Sequence, residues 1–195
     1  MKFFFLCLVL TLSFQSLIKA DDIRDFQIEE MGIGDSLLNF FTKDKITKST
    51  VDWYDDLEKN MYVSLAFDSD NFVQYDFVDV WTKYGDNEFK IVAIAGVNYF
   101  KKTGQIRDIE DCYNKQLEIA KDISRLFSNS VMDGPHTIAH DADPSGKSSY
   151  TDIYFDIENK HEAVIACYDW NEDLKDKEDH IYISLRSKEF AEWLR

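Results

Sequence analysis

Oxygen-bearing side chains recur at regular spacing in one short segment, residues 141–152. Asp141, Asp143, Ser145 and Asp152 occupy positions one, three, five and twelve of this stretch, and Gly146 occupies position six. Calcium takes six to eight oxygen ligands, and loops with this spacing wrap those ligands around the ion. The segment therefore predicts a calcium site, and the alternative is an ordinary turn rich in Asp, Pro, Ser and Gly.

A pair of histidines precedes this segment. His136 and His140 are four residues apart, and on a helix this spacing would place both imidazoles on one face for zinc. The catalytic form of the motif also needs a glutamate after the first histidine, where this chain has Thr137. The alternative is a pair of solvated loop histidines.

Carboxylate chemistry is the third possibility, because the chain has 37 acidic residues and any two could form a pair. A general acid needs a carboxyl whose pKa is raised by burial. Asp76, Asp79 and Asp169 lie among apolar neighbours and are the best candidates for this role. The alternative for each is a hydrogen-bonded structural position.

The three cysteines reduce to a single pairing if the amino-terminal segment is removed. Cys7 lies inside that segment, which leaves Cys112 and Cys167 as partners for one disulfide. An oxidising compartment would form and keep this bond. The sequence therefore predicts a Cys112–Cys167 disulfide, with two buried free thiols as the alternative.

Residues 1–20 have the features of an export signal. Lys2 precedes an apolar run from Phe3 to about Phe14, and Ala20 stands before an acidic stretch. The run is too short to span a bilayer, which takes about 20 apolar residues. We therefore expect a mature chain of residues 21–195, a single domain that is periplasmic or secreted and has no stable membrane insertion.

The net negative charge of the chain limits the classes of molecule that it is expected to bind. The expected mature chain loses two of the 22 basic residues and none of the 37 acidic ones, so its net charge moves from −15 to −17. Such a surface repels phosphate backbones, and no basic stripe offsets it. Nucleic acid is therefore excluded as an expected partner.

The composition indicates a folded domain. Hydrophobic residues make up 45% of the chain, which is too many for a disordered acidic tail.

Hydrophobic periodicity predicts the elements that must position these residues. A helix capped by Asp35 runs to Ile46, a long helix covers about Asp108 to Phe127, and Ser187 caps a terminal helix. Period-two patterns predict six strands, at Tyr62–Phe67, Phe72–Tyr84, Phe89–Phe100, Tyr150–Ile157, Ala163–Trp170 and His180–Leu185. Residues 132–149 are predicted to be a long connection. The pattern predicts an α+β fold, an antiparallel sheet of about six strands with the long helix on one face and short helices at both ends.

Several segments together resemble a family of small uncharacterised exported proteins of marine bacteria. They are Asp21–Ile28, Ile33–Leu38, Ile109–Ser124, Cys167–Trp170 and Lys188–Leu194, which span nearly the whole expected mature chain. One departure is Glu30, where the resemblance would place glycine. The resemblance implies export and the paired cysteines, and it implies no activity.

These observations favour a non-catalytic binding or interaction module of the cell envelope, whose partner is an envelope protein or a small ligand. Aromatic-rich strands could present a groove or an edge to such a partner. The alternatives are an envelope hydrolase that uses a carboxylate pair and a calcium-binding module. We expect no cofactor unless the segment 141–152 binds calcium.

Overall fold

A computed structural model describes residues 23, 26–51, 61–68, 72–100, 108–158 and 161–195. The predicted signal segment and the predicted domain boundary at residue 21 lie outside these residues. Among the described residues, none of the helices combines the length and apolar character that crossing a membrane requires.

The protein is an α+β fold built on one antiparallel sheet. The helices are α1 (Lys43–Lys48), α2 (Ile109–Leu126) and α3 (Lys188–Leu194). The strands are β1 (Thr50–Val51), β2 (Tyr62–Asp68), β3 (Phe77–Lys83), β4 (Ile91–Tyr99), β5 (Val131–Ala139), β6 (Ser149–Ile157), β7 (His161–Asp169) and β8 (His180–Arg186). The α+β class is confirmed, but the expected number of six strands is wrong, because the sheet has eight.

The strand order shows two meanders that meet in the middle of the sheet. The order is β1-β2-β3-β4-β8-β7-β6-β5, and every neighbouring pair is antiparallel. In the described residues, each half consists of a helix followed by four consecutive strands, α1 with β1–β4 and α2 with β5–β8. The two halves therefore have the same topology and are related by a half-turn about an axis normal to the sheet. The pairing of β4 with β8 joins the two halves.

The segment predicted to be a long connection contains a strand. Val131–Ala139 forms β5 and pairs with β6, with a register shift between Asp133 and His136 that accommodates Gly134 and Pro135. All but one of its nine residues are exposed, because β5 lies at the edge of the sheet. An exposed edge strand has no buried face to impose alternation, so hydrophobic periodicity could not detect it.

Two predicted elements begin or end at other residues. The helix expected after Asp35 is divided into a 3-10 turn, Leu37–Asn39, and α1. Asp35 does not cap it, because its carboxylate accepts a hydrogen bond from Gly32 N at 2.9 Å. The strand expected to start at Phe72 starts at Phe77.

The long helix α2 covers one face of the sheet and is attached to it at two neighbouring turns. Cys112 and Cys167 form the predicted disulfide, with Cα atoms 6.0 Å apart. One turn further along, the buried Gln116 donates from Nε2 to the carbonyl oxygens of Thr151 and Ile165, both at 2.8 Å. The helix is thus fixed to both β6 and β7.

Removing the disulfide should lower the stability substantially. Its two cysteines are 55 residues apart, a loop for which the chain-entropy account gives about 4 kcal/mol. We expect the double variant Cys112→Ala, Cys167→Ala to lose about 2–5 kcal/mol in urea unfolding. A variant with an unchanged urea midpoint would contradict this account.

The amino-terminal turn is held in a strained backbone conformation. Ile28 and Met31 pair across a two-residue turn in which Glu29 and Glu30 have φ of 51° and 66°. This left-handed region favours glycine. The carboxylate of Glu29 accepts hydrogen bonds from the backbone N–H groups of residues 73–75, at 2.6–3.0 Å.

The hydrogen bonds that the Glu29 carboxylate accepts also support the core. It fixes the backbone of Tyr75, whose ring packs against Gly96 on β4 so closely that a Cβ there would lie 2.4 Å from the ring. Burial raises the pKa of the Tyr75 hydroxyl to about 12, with a contribution from Glu29.

Glycine substitutions should therefore have opposite effects at the two turn positions. Glu30 is exposed, so Glu30→Gly relieves backbone strain and should raise the free energy of unfolding by about 1 kcal/mol. Glu29→Gly relieves similar strain but removes the acceptor of three N–H groups, and it should destabilise the protein. Equal shifts in the urea midpoint for both variants would refute a specific role for the Glu29 carboxylate.

Candidate functional site

The face of the sheet opposite α2 carries most of its polar side chains. Cys167 points toward α2, so alternation along β7 directs its neighbours Ala166 and Tyr168 to the opposite face. The register extends this face to β8, where His180, Tyr182, Ser184 and Arg186 pair with residues of the same face of β7. We call this side of the sheet the polar face.

The centre of the polar face has a floor of small, buried side chains. These are Ala93, Ala95, Val97, Val164, Ala166 and Ser184, which lie in register on β4, β7 and β8. Two larger half-buried side chains, Tyr182 and Arg186, flank Ser184 along β8. The Arg186 guanidinium lies beside the Tyr182 hydroxyl, and burial raises the pKa of Tyr182.

An ion-pair network occupies one end of this face. The buried carboxylate of Glu162 lies 3.8 Å from Arg186 Nη1 and also pairs with Arg195 at the end of the chain. The positive charge of Arg186 therefore has a partner within the protein.

Asp152 differs from Glu162, because the nearby basic group is a histidine and not an arginine. Asp152 is 1% exposed, and neither carboxylate oxygen has a hydrogen-bond partner of good geometry among the described residues. His136 Nδ1 on β5 lies 3.9 Å from Asp152 Oδ1, and His136 Nε2 lies 3.5 Å from Asp133 Oδ1. Burial raises the pKa of Asp152, and Tyr154 and His136 oppose this rise.

Two further polar side chains are buried on the same face. Ser184 Oγ lies beside the Tyr182 hydroxyl, and Trp81 Nε1 has no hydrogen-bond partner within the described part of the chain. Trp81 lies on β3 in register with Ala93, and its ring packs 5.5 Å from that of Phe190 on α3. α3 therefore covers part of the polar face, next to atoms that could still hydrogen-bond a ligand.

A row of rings crosses the other end of the polar face. Tyr150, Tyr168, His180 and Tyr99 occupy matching register positions on β6, β7, β8 and β4. Tyr168 lies nearly parallel to His180, with centroids 4.5 Å apart, and is stacked with Tyr150 at 5.5 Å. Burial raises the pKa of Tyr168 and lowers that of His180.

A cleft of about 530 Å³ opens between α3 and the β5–β6 edge. Its walls include Tyr154, Glu162 and Arg186 from the polar face, together with Ala191 and Leu194 from α3. The cleft therefore gives solvent access to the side of the face on which Arg186 and Glu162 lie.

The structure separates the predicted calcium ligands. Asp143 accepts hydrogen bonds from Ser145 N and Ser148 N at 2.9 Å and from Ser148 Oγ at 2.7 Å, which uses both of its oxygens within its own loop. Asp152 is four residues beyond Ser148, roughly 13 Å along an extended strand. Asp141 and Ser145 are exposed.

Within the described ranges, no three His, Cys, Asp or Glu side chains group together in a way that could hold a metal ion. Calcium binding by the segment 141–152 stays a prediction.

The histidine pair does not have the helical arrangement that zinc binding would need. His136 lies on β5, and His140 follows that strand, so their Cα atoms are roughly 13 Å apart. The His140 ring packs against Trp170 with centroids 4.2 Å apart and the planes tilted by 42°, and burial lowers the pKa of His140.

The three candidate acids occupy different environments. Asp76 accepts a hydrogen bond from Tyr99 N at 3.1 Å, which is a structural role. Asp79 is buried on the polar face. Burial and the nearby Asp179 raise the pKa of Asp169.

The fold and this site define an α+β protein with one eight-stranded antiparallel sheet, whose second face is polar and aromatic. A comparison of the chain with protein-family models, with curated proteins and with solved structures found no match.

Sequence reasoning missed Tyr182, Ser184 and Arg186, although a signal for them exists. They alternate with Ile181, Ile183 and Leu185, a pattern that assigns polar residues to one face of β8. Alternation alone does not distinguish a solvated face from a buried polar one. That distinction needs the positions of the neighbouring strands and of α3.

The Asp143 loop should contribute to stability at neutral pH and lose this contribution in acid. Hydrogen bonds from Ser145 and Ser148 hold the pKa of the Asp143 carboxyl well below its usual range. A folded-state pKa below the unfolded value of about 3.9 stabilises the protein above that pH, and this stabilisation is lost as the pH falls through the folded-state pKa.

We therefore expect Asp143→Asn to reduce the drop in urea midpoint between pH 7 and pH 3. Asp141→Asn, which changes an exposed residue of the same loop, is the control. An equal drop in the two variants would contradict a special role for Asp143.

Proposed function

We propose that this protein is an exported, non-catalytic binding module of the cell envelope, and that it binds a small polar ligand on the polar face. The observation that carries the proposal is the set of buried polar side chains there, Asp152, Ser184 and Trp81, of which Trp81 Nε1 has no hydrogen-bond partner within the described part of the chain. They include donors and acceptors, so a ligand with both kinds of group would satisfy them.

Energetics support this interpretation. A buried polar group without a partner, such as the Trp81 indole N–H, costs about 1–3 kcal/mol, so folded proteins rarely keep one. A bound ligand or ordered water would remove that cost. The cleft of about 530 Å³ is within the range of ligand sites, roughly 300–1,000 Å³.

Export is supported by two features of the chain. Residues 1–20 have the pattern of a signal peptide, and the Cys112–Cys167 disulfide is the kind of bond that persists in an oxidising compartment. These two features support the proposal that the mature chain is periplasmic or secreted.

The geometry gives little support to the alternative of a carboxylate-pair hydrolase. Asp79 and Asp152 are the buried aspartates of the polar face, and they lie on β3 and β6, four strand spacings apart. At about 4.8 Å per spacing this is roughly 19 Å between strands, against about 5–10 Å for paired catalytic carboxylates.

A screen of small polar compounds tests the binding proposal. We expect at least one chemical class, among amino acids, sugars, organic acids and amines, to raise the melting temperature and to shift backbone amide signals of β7 and β8. Tyr182→Phe should weaken that binding by about threefold to tenfold, the effect of one lost hydrogen bond.

Tyr113→Phe is the matched control. Tyr113 lies on α2, and its hydroxyl accepts a hydrogen bond from Thr151 Oγ1 on the other side of the sheet. Loss of this hydroxyl should leave ligand affinity unchanged. If no compound binds, or if the signals that shift lie in residues 141–148, the polar face is not the site.

A further inference from the structure

A second cavity, of about 700 Å³, lies between α3 and the end of the sheet where β2 begins and β3 ends. No described residue lines both this cavity and the cleft between α3 and the β5–β6 edge. We propose that this second cavity binds a neutral sugar, whose pyranose ring packs on the side chains of Tyr84 and Trp193 while its hydroxyl groups hydrogen-bond to Lys83 and Glu189. This inference goes beyond the proposed function and does not rest on it, because the two concern different cavities.

Packing of α3 on the sheet forms one wall of the cavity. Glu189, Glu192 and Trp193 are spaced by three and four residues, so they project from one side of α3 into this wall. The buried Phe190 ring fixes the helix, with its centroid 5.1 Å from that of Tyr62 on β2. The wall is therefore held by contacts within the protein, and the cavity is formed before a ligand binds.

Aromatic and apolar side chains provide most of the lining. The ring planes of Tyr62 and Trp193 lie at 67° with centroids 5.1 Å apart, so these two rings form a corner. Tyr84 and Met61 continue this surface at the ends of the strands, where they are 75% and 57% exposed. A single exposed apolar side chain is normal, but a contiguous set along a cavity is typical of a binding surface.

The charged side chains at the cavity balance one another. Lys83 Nζ lies 2.5 Å from Glu189 Oε2, and this carboxylate raises the pKa of Lys83. Glu192 Oε1 lies 4.0 Å from Nζ of Lys188, which does not line the cavity. Because these positive and negative groups compensate in pairs, the cavity favours a neutral ligand over an ion. The ammonium groups and carboxylates nevertheless have more donors and acceptors than these two pairs use.

A sugar has the chemical groups that this lining requires. The C–H bonds on one face of a pyranose ring form an apolar surface that packs on aromatic rings, and its hydroxyl groups lie around the perimeter. An apolar aromatic compound would contact the rings equally well, but it would displace water from Lys83 and Glu189 without replacing the hydrogen bonds of that water. The volume of about 700 Å³ lies within the range of small-molecule sites, roughly 300–1,000 Å³.

NMR titration of the protein with cellobiose, maltose and lactose tests the inference. We expect at least one of these disaccharides to shift the indole N–H signal of Trp193 in a saturable manner. Tyr84→Ala should weaken this binding by about threefold to tenfold, because it removes one aromatic contact. Leu117→Ala, at a 55% exposed position of α2 on the opposite face of the sheet, is the control and should leave the affinity unchanged.

A pair of lysine variants tests the hydrogen bonds at the rim of the cavity. Lys83→Met keeps the aliphatic chain and removes the ammonium group, so it should weaken disaccharide binding by about threefold to tenfold. Lys90→Met is the matched control, because Lys90 is similarly exposed and pairs with Glu88 outside this cavity. Both substitutions change exposed side chains, so both variants should fold. Equal affinities of the two variants would overturn the inference.

The outcomes separate this inference from the proposed function. If indole binds with dependence on Tyr84 while none of the disaccharides binds, the cavity is an apolar site and the sugar assignment is wrong. If a disaccharide binds with dependence on Tyr182 and not on Tyr84, the polar face is the sugar site, so the inference fails and the proposed function stands. If binding depends on Tyr84 and Lys83 while no compound of the screen shifts the signals of β7 or β8, the inference stands and the proposed function fails. Absence of binding by all three disaccharides overturns the inference in every case.

Discussion

The attachment of α2 to the sheet determines how the rest of the molecule is arranged. The disulfide at Cys112 and the amide of Gln116 fix this helix to β6 and β7, so one face of the sheet becomes the core. A sheet has only two faces, and the opposite one is left with α3 as its main cover. The chain places buried carboxylates and half-buried tyrosines and arginine there, instead of the exposed polar residues that usually line a solvated face.

The burial of polar side chains on this face lowers the stability of the fold. Replacing buried polar groups such as Asp152 and Ser184, together with their partners, by apolar residues of similar shape is often neutral or favourable. The strained turn at Glu29 and Glu30 is different, because its cost is offset by the hydrogen bonds that Glu29 accepts. At Asp152 burial outweighs the opposing effect of Tyr154 and His136, and retained costs of this kind are associated with functional surfaces.

The sequence contains enough information for some elements and not for others. The periodic apolar stripe of α2 predicts that helix within a residue of its ends, and the two cysteines that remain after removal of residues 1–20 predict the disulfide. β5 has neither alternation nor burial, and its pairing with β6 is a long-range property. The spacing of Asp141, Asp143 and Asp152 suggested one site, but strand β6 carries Asp152 away from the loop and onto the sheet.

The order of the strands has a consequence for how the chain reaches this structure. β8 follows the seven other described strands in the chain, yet it lies at the centre of the sheet between β4 and β7. Until it is present, β4 and β7 are unpaired edge strands, and the two halves have no common sheet. The sheet is therefore completed only after residues 180–186 have been synthesised, and the two meanders stay separate and incompletely folded until then.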